Sequence, residues 1–268
     1  TASELLTEIV NSNQIQVTFK DEFGDIKDTT IQKGECLLNT VMHYEVISTA
    51  NMKIGYVVYN SFINSLFETD IDPAFEQFQF ENIDKLIVDL RYNRGGGVSS
   101  AENLVDYIAG TKFKGRVKWK ILHNANLNNS NSTAYFKDSK FNLNSLDHLI
   151  FLNTRQSASA SELVQLSFME YTNELKVTQI GDNTYGKPFG MYGFRKDEYM
   201  FWPISFSIES DSGLVKNYVD GLAPDRLTGS IPIVPWGSMN DPMLKTALDV
   251  LGVEMSSQLQ LKRLDQTG

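Results

Sequence analysis

The sequence predicts an α/β fold, and three observations carry that prediction. From Lys53 onward, strand-like stretches alternate with stretches of helical spacing, the pattern of a sheet covered by helices. Two strand candidates, KLIVDL (Lys85 to Leu90) and HLIFLN (His148 to Asn153), are almost wholly apolar, as parallel strands buried on both faces are. Both run directly into a turn of small residues and then into an amphipathic segment. With 41% hydrophobic residues in 268, the chain can fill one large core, or one core plus a small module.

Residues 1–33 differ from the rest. ASELLTEIV has helical spacing, QIQVTF (Gln14 to Phe19) alternates like a strand, DEFGD supplies a turn and TTIQ a short return strand. That is too little to bury a core of its own. The sequence therefore divides into a small N-terminal segment, 1–33, and a main domain, 34–268. In the main domain KIGYVVY, from Lys53, is a buried strand candidate. DPAFEQFQF reads as a helix opened by Asp72 at the cap and Pro73 in the first turn, where a missing N–H leaves nothing unpaired. KLIVDL follows, then a glycine turn, then the helix SSAENLVDYIAG closed by Gly110. HLIFLN leads through SASASE into the helix SELVQLSFMEY, and KVTQIG is the next strand, ending in the loop DNTYGKPFG. HNANLNNSNS (His123 to Ser132) is polar throughout and reads as a surface loop. NDPMLKTALDVLG is a capped C-terminal helix.

Lysine and arginine number 24 against 33 aspartates and glutamates, and the resulting net charge of −9 would repel a nucleic-acid backbone. The most basic stretch, KFKGRVKWK (Lys112 to Lys120), alternates and reads as a strand with its charges in solvent. The single cysteine, Cys36, excludes an intrachain disulfide and a cysteine-built zinc site, and no pattern asks for a metal or another cofactor. No run of about 18 apolar residues is present, so no segment reads as a membrane span. Of the three histidines, His43 sits in a connecting segment, His123 lies beside the polar loop and His148 starts a buried strand. None has a spacing that ties it to a nucleophile.

Three stretches could carry chemistry. In DLRYNRGGG (Asp89 to Gly97), glycines let backbone N–H groups approach a ligand with no Cβ in the way, and such a strand-to-helix turn can cradle an anion. The spacing is G-x-G-x-x-S, and no Gly-Lys-Ser/Thr follows, so neither nucleotide fingerprint is met. A glycine turn needed for chain geometry alone is the alternative. In SASASE (Ser157 to Glu162), Ser159 and Glu162 have the spacing of a capping box, which is a structural reason for that serine. A serine at the end of a buried strand, with the next N–H groups turned toward whatever it attacks, is equally placed to be a nucleophile. In GDNTYGKPFG, Lys187 lies between Gly186 and Pro188. Most lysines are solvated surface charges. One acts as a base only where desolvation favours its neutral form, and Tyr185, Pro188 and Phe189 are the residues that would shield it.

Taken in order, GYVVYNSF, LIVDLRYNRGGG, LIFLNTRQSASASELV, IGDNTYGKPFG and VDGLAPD (Val219 to Asp225) resemble the C-terminal processing (tail-specific) serine peptidases, a family with a ClpP/crotonase-like α/β core. The resemblance spans Lys53 to Asp225. It implies an endopeptidase that cleaves polypeptide substrates without a cofactor, in a periplasmic or cell-envelope setting. It makes Ser159 the nucleophile and Lys187 the general base of a Ser-Lys dyad. The oxyanion donors would be the N–H of Ala160 and one N–H from the pair Gly95 and Gly96. Two features depart from the family pattern. Met191 stands four residues after Lys187, where many members have a glutamine that orients the amine. NSNQIQVTFKDEFGDIKDTTIQ resembles only the end of the PDZ module that usually precedes the core, without its carboxylate-binding front half. A peptide-binding pseudo-peptidase on the same fold is therefore the second reading. A third, an acyl-thioester-binding enzyme of crotonase-like architecture, is opposed by the presence of both Ser159 and Lys187.

Overall fold

The computed structural model describes residues 2–21, 23–34, 38–229 and 234–253, so Cys36 lies outside the described residues. The chain divides into two units, one through Leu38 and one from Asn39. The first contains α1 (Ala2–Asn11) and an antiparallel hairpin of β1 (Gln14–Lys20) and β2 (Ile26–Gln32), with Ile15 opposite Ile31 and Val17 opposite Thr29.

The second unit runs through β3 (Val41–Ser48), β4 (Lys53–Tyr59), α2 (Phe67–Glu81), β5 (Lys85–Asp89), α3 (Val98–Ala109), β6 (Val117–Leu122) and β7 (Ser132–Tyr135). It continues with β8 (His148–Asn153), α4 (Ala160–Met169), β9 (Lys176–Gly181), β10 (Phe189–Met191), β11 (Phe194–Lys196) and β12 (Tyr199–Phe201). The last elements are β13 (Ile204–Glu209), β14 (Arg226–Leu227) and α5 (Pro242–Val250). Six strands form the main sheet in the order β14-β9-β8-β5-β4-β3. All neighbours are parallel except β3, which pairs antiparallel with β4. A second, antiparallel sheet has the order β10-β13-β6-β7, and β11 and β12 form a separate hairpin.

The apolar runs of β5 and β8 are explained by burial on both faces. Leu86, Val88, Leu149 and Phe151 join the side chains of α2, α3 and α4 in one core. Their alternate neighbours Ile87, Ile150 and Leu152 face the other way and pack on Met243, Leu244, Ala247 and Leu248 of α5.

Three details differ from the sequence reading. The helix expected to open at Asp72 and Pro73 begins at Phe67, and Pro73 lies inside it. Phe67, Ile71, Ala74, Phe75 and Phe78 form one buried stripe at helical spacing, and packing that stripe outweighs the roughly 3 kcal/mol an interior proline costs. His43 lies in strand β3, not in a connection. Lys118, expected in solvent, is buried: its amine reaches Asp106 Oδ2 of α3 at 2.7 Å, and it lies 5.9 Å from the Phe136 ring centre. Burial lowers the Lys118 pKa and raises that of Asp106, although each favours the charged form of the other.

His148, at the start of β8, is buried, and its Nε2 lies 2.9 Å from Thr178 Oγ1. Burial, reinforced by Lys176 and Lys85, pushes its pKa down to about 4. An unfolded histidine titrates near 6.5, so between those values the unfolded chain binds a proton that the folded chain declines. This contribution to stability is intact above about pH 6.5 and is lost as pH falls toward 4. The melting temperature of His148→Asn should therefore fall less between pH 7.5 and pH 4.5 than that of the parent. Equal falls would remove His148 as a source of acid sensitivity.

Candidate active site

β5 and β8 are adjacent and parallel, with Asp89 registered opposite Leu152. Their C-terminal ends therefore release two turns side by side, at the edge where open parallel sheets hold ligands. The turn after β5 carries the glycines and the turn after β8 carries SASASE. Asn93, fully buried, joins them. Its carbonyl accepts the Ala158 N–H at 3.1 Å and the Ser161 hydroxyl at 2.8 Å. Its side chain accepts the Gly95 N–H at 2.9 Å and donates to the Tyr59 carbonyl at 2.9 Å. The Ser157 hydroxyl donates to the Leu90 carbonyl at 2.7 Å, and the Thr154 hydroxyl donates to the Arg91 carbonyl.

The outer serines of the motif are thus staples. Ser159 differs. It is half-buried, and its hydroxyl donates to no group among the described residues. Its backbone sits at φ 57°, ψ −111°, a conformation residues with a Cβ rarely adopt and one that surrounding structure must hold in place. The capping box expected from the sequence is also present.

Glu162 is the residue that joins Ser159 to Lys187. It is fully buried on the first turn of α4. One carboxylate oxygen, Oε2, accepts the N–H of Ser159 at 2.7 Å and the N–H of Lys187 at 2.9 Å. The other, Oε1, accepts the Thr184 hydroxyl and the Gly186 N–H, both at 2.6 Å. Four donors meet the four lone-pair sites of one carboxylate. The Tyr185 N–H adds a bond to the Ser157 carbonyl at 2.8 Å, and Thr184 is bonded on its far side to Leu222. Lys187 is half-buried, as is Phe189, and Pro188 is buried; Tyr185 is 59% exposed and gives little shielding. Met191 ends β10 at 37% exposure.

Gly95 and Gly96 have different neighbours. A Cβ on Gly95, whose φ is +95°, would lie 2.7 Å from the Ala158 carbonyl oxygen, 2.9 Å from Ser159 Cβ and 2.9 Å from Ala160 N. This residue is pressed against the serine turn itself. On Gly96, at φ +144°, a Cβ would run into the Phe62 carbonyl, the same oxygen that accepts the Gly97 N–H at 2.7 Å. The Gly95 N–H is taken by Asn93, whereas the N–H groups of Gly96 and Ala160 donate to nothing among the described residues. Those two amides are the free donors beside Ser159.

Beneath the turns lies a buried charge network that the sequence reading missed. Arg91 donates to Asp89 through Nε at 2.9 Å and through a terminal nitrogen at 2.7 Å, and its other terminal nitrogen meets Asp241 at 2.8 Å. The Tyr56 hydroxyl donates to Asp89 at 2.9 Å. Asp241 also caps α5. Burial raises the Asp89 pKa against the pull of Arg91; burial alone would lower that of Arg91, but Asp89 more than reverses it. The available signal was a pair of charges, Asp89 and Arg91, at the end of an otherwise apolar strand. The histidines take no part. His148 is at the opposite end of β8 from Ser159, roughly 20 Å along a six-residue strand. His43 lies 3.3 Å from Glu45, and His123 lies 3.2 Å from the Tyr192 hydroxyl.

Glu162→Ala should strand four donors, each costing about 1–3 kcal/mol when buried and unpaired. Calorimetry should show a loss of at least about 3 kcal/mol, and Glu162→Gln, which keeps an acceptor oxygen, should recover part of it. Equal stability of Glu162→Ala and the parent would show that the clamp contributes nothing.

The model of Peptidase family S41 matches residues 53–198. Among solved structures, the chain is similar to a Bacteroides fragilis protein assigned to the S41 proteases, with 22% identity and a TM-score of 0.74 over 89% of this chain and 66% of that one. It is also similar to the photosystem II D1 C-terminal processing protease, with 17% identity and a TM-score of 0.57 over 80% of this chain and 55% of that one. A lipoprotein from Streptococcus agalactiae gives 16% identity and a TM-score of 0.55, over 78% and 69% of the two chains. The chain thus spans 66% and 55% of the first two, less than two thirds of either. Comparison with curated protein sequences gives no match. At such identities the likeness establishes the mixed α/β fold.

Proposed function

This chain belongs to Peptidase family S41, and we propose on that basis that it is a serine endopeptidase with a Ser159–Lys187 dyad. The observation that carries the proposal is the shared Glu162 oxygen, bonded to the backbone N–H of both residues. It brings together two residues that stand 28 positions apart in the sequence. In the first step the Ser159 hydroxyl oxygen attacks the scissile carbonyl and its proton passes to the neutral amine of Lys187. The carbonyl oxygen, now an oxyanion, accepts from the N–H groups of Gly96 and Ala160. Collapse of the tetrahedral intermediate expels the amine of the downstream peptide, which takes the proton from Lys187. Water then attacks the ester, losing its proton to the same amine, and the acyl product leaves as Ser159 regains a proton.

The substrate is a polypeptide, as membership of a peptidase family implies. Met191 offers no hydrogen bond to orient the amine. The Glu162 bond instead fixes the backbone from which the lysine side chain extends. Among the described residues no helix is long and apolar enough to cross a membrane. An extracytoplasmic setting is part of the same proposal, resting on the family resemblance, and fractionation of the source cells would test it.

Ser159→Ala and Lys187→Ala should each abolish cleavage of an unfolded protein such as casein while the melting transition stays near that of the parent. Lys187→Arg should fail as well, because a guanidinium keeps its proton. Cleavage by Lys187→Arg at the parent rate would place the base elsewhere. Binding of peptides by the parent without turnover, and without labelling of Ser159 by an active-site acylating or phosphonylating probe, would favour the pseudo-peptidase.

A further inference from the structure

Arg94 stands one residue before Gly95, in the turn that faces Ser159, and it is exposed. A guanidinium has five N–H donors in a planar fork. Here one of them reaches Gln156 Oε1 at 3.3 Å, and no carboxylate among the described residues pairs with the group. The other two guanidinium groups of the region are committed. Arg91 is buried between Asp89 and Asp241, and Arg155 donates to the carbonyls of Thr184 at 3.0 Å and Asp220 at 2.9 Å. Arg94 is therefore an open cation beside the oxyanion turn of a chain whose net charge is −9. That surface repels an anionic segment of substrate. A local cation that seats such a segment supplies what the surface as a whole withholds.

We infer that Arg94 is a specificity-determining residue that pairs with a carboxylate on the substrate near the scissile bond. This rests on the reading of the Ser159 site as a peptide-binding site. Arg94 directly precedes Gly95, which is pressed against the Ser159 turn, and its guanidinium reaches Gln156, three residues before Ser159. A carboxylate paired with Arg94 therefore lies within a few residues of the bond that is cut. The planar fork binds both carboxylate oxygens at once, a geometry that an ammonium does not offer. A carboxylate held against the general base instead would stabilise its ammonium form and oppose catalysis. The carboxylate is either the C-terminus of the substrate or an aspartate or glutamate side chain, and the chemistry of recognition is the same.

The test uses Ser159→Ala, so that peptides bind without being cut, and fluorescence anisotropy with three forms of one extended peptide. The first is uncharged with an amidated C-terminus. The second has a free C-terminus. The third is amidated with a glutamate placed at each interior position in turn. At least one carboxylate-bearing form should bind about tenfold more tightly than the uncharged form, with the advantage shrinking as salt rises. Which form gains identifies the source of the carboxylate. Adding Arg94→Gln should remove the advantage without changing the melting temperature, and Arg94→Glu should shift the preference to lysine-bearing peptides. An acid-to-neutral ratio that survives Arg94→Gln overturns the inference, as does equal binding of all three forms, which would leave the peptidase reading standing. Binding of none would overturn both.

Discussion

The Glu162 carboxylate is the interaction on which the site depends. A buried charge is tolerated only when its lone pairs are filled. Here they are filled by two different stretches of chain: the serine turn through Ser159, and the following loop through Thr184, Gly186 and Lys187. Neither stretch can withdraw without leaving the carboxylate short of donors. The arrangement is therefore cooperative in a strict sense, because correct placement of the Lys187 loop and correct placement of the Ser159 turn satisfy the same group. It also uses rigid backbone rather than flexible side chains, since three of the four donors are amide N–H groups.

The sheet sets where this clamp can form. Parallel pairing of β5 with β8 and of β8 with β9 brings three strand ends to one edge, and the glycine turn, the serine turn and the lysine loop each leave from one of them. The Asp89–Arg91–Asp241 network anchors the same edge from below, with Asp241 at the start of α5. Two carboxylates around one guanidinium leave an excess of buried acid. The Tyr56 hydroxyl donates to Asp89, and the backbone amides of Met243 and Leu244 donate to one oxygen of Asp241. Removing Arg91 would leave both acids unpaired, so the C-terminal helix and the glycine turn after β5 are coupled through one side chain.

What could be read from the sequence, and what could not, follows from the range of the forces involved. The central strands were legible because burial on both faces leaves uninterrupted apolar runs at Leu86–Val88 and Leu149–Leu152. The turns were legible because glycine and serine have strong local meaning, and the relation of Ser159, Lys187 and the glycines came from the order of whole motifs, not from any one of them. The start of α2 was hidden because Pro73 signals a first turn locally, while the apolar stripe from Phe67 is decided by tertiary packing. Lys118 looked like a surface charge because its partner, Asp106, is twelve residues away on another element. Strand β3 mixes His43, Tyr44 and Glu45 with apolar residues, and its pairing with β4 at the sheet edge supplies the order that its composition does not. Glu162 was visible as a capping residue, but three of its four bonds join it to residues more than twenty positions away.

The two small-residue motifs explain each other. Ser159 holds a left-handed backbone conformation that costs of order 1–3 kcal/mol. Bonds from Asn93, Leu90 and Glu162 to the residues around it keep it there. Those bonds draw the glycine turn so close that a methyl group on Gly95 would collide with Ser159 itself. The same closeness leaves the Gly95 N–H to Asn93 and leaves that of Gly96 free. The third glycine-turn amide, from Gly97, is used by Phe62, which closes the turn from the outside. Of three consecutive amides, the middle one alone is unclaimed among the described residues, because its neighbours on both sides are held by the protein. The oxyanion hole proposed for this site requires a donor that is fixed but unspent, and this pattern of flanking bonds leaves the Gly96 N–H in that state without any side chain.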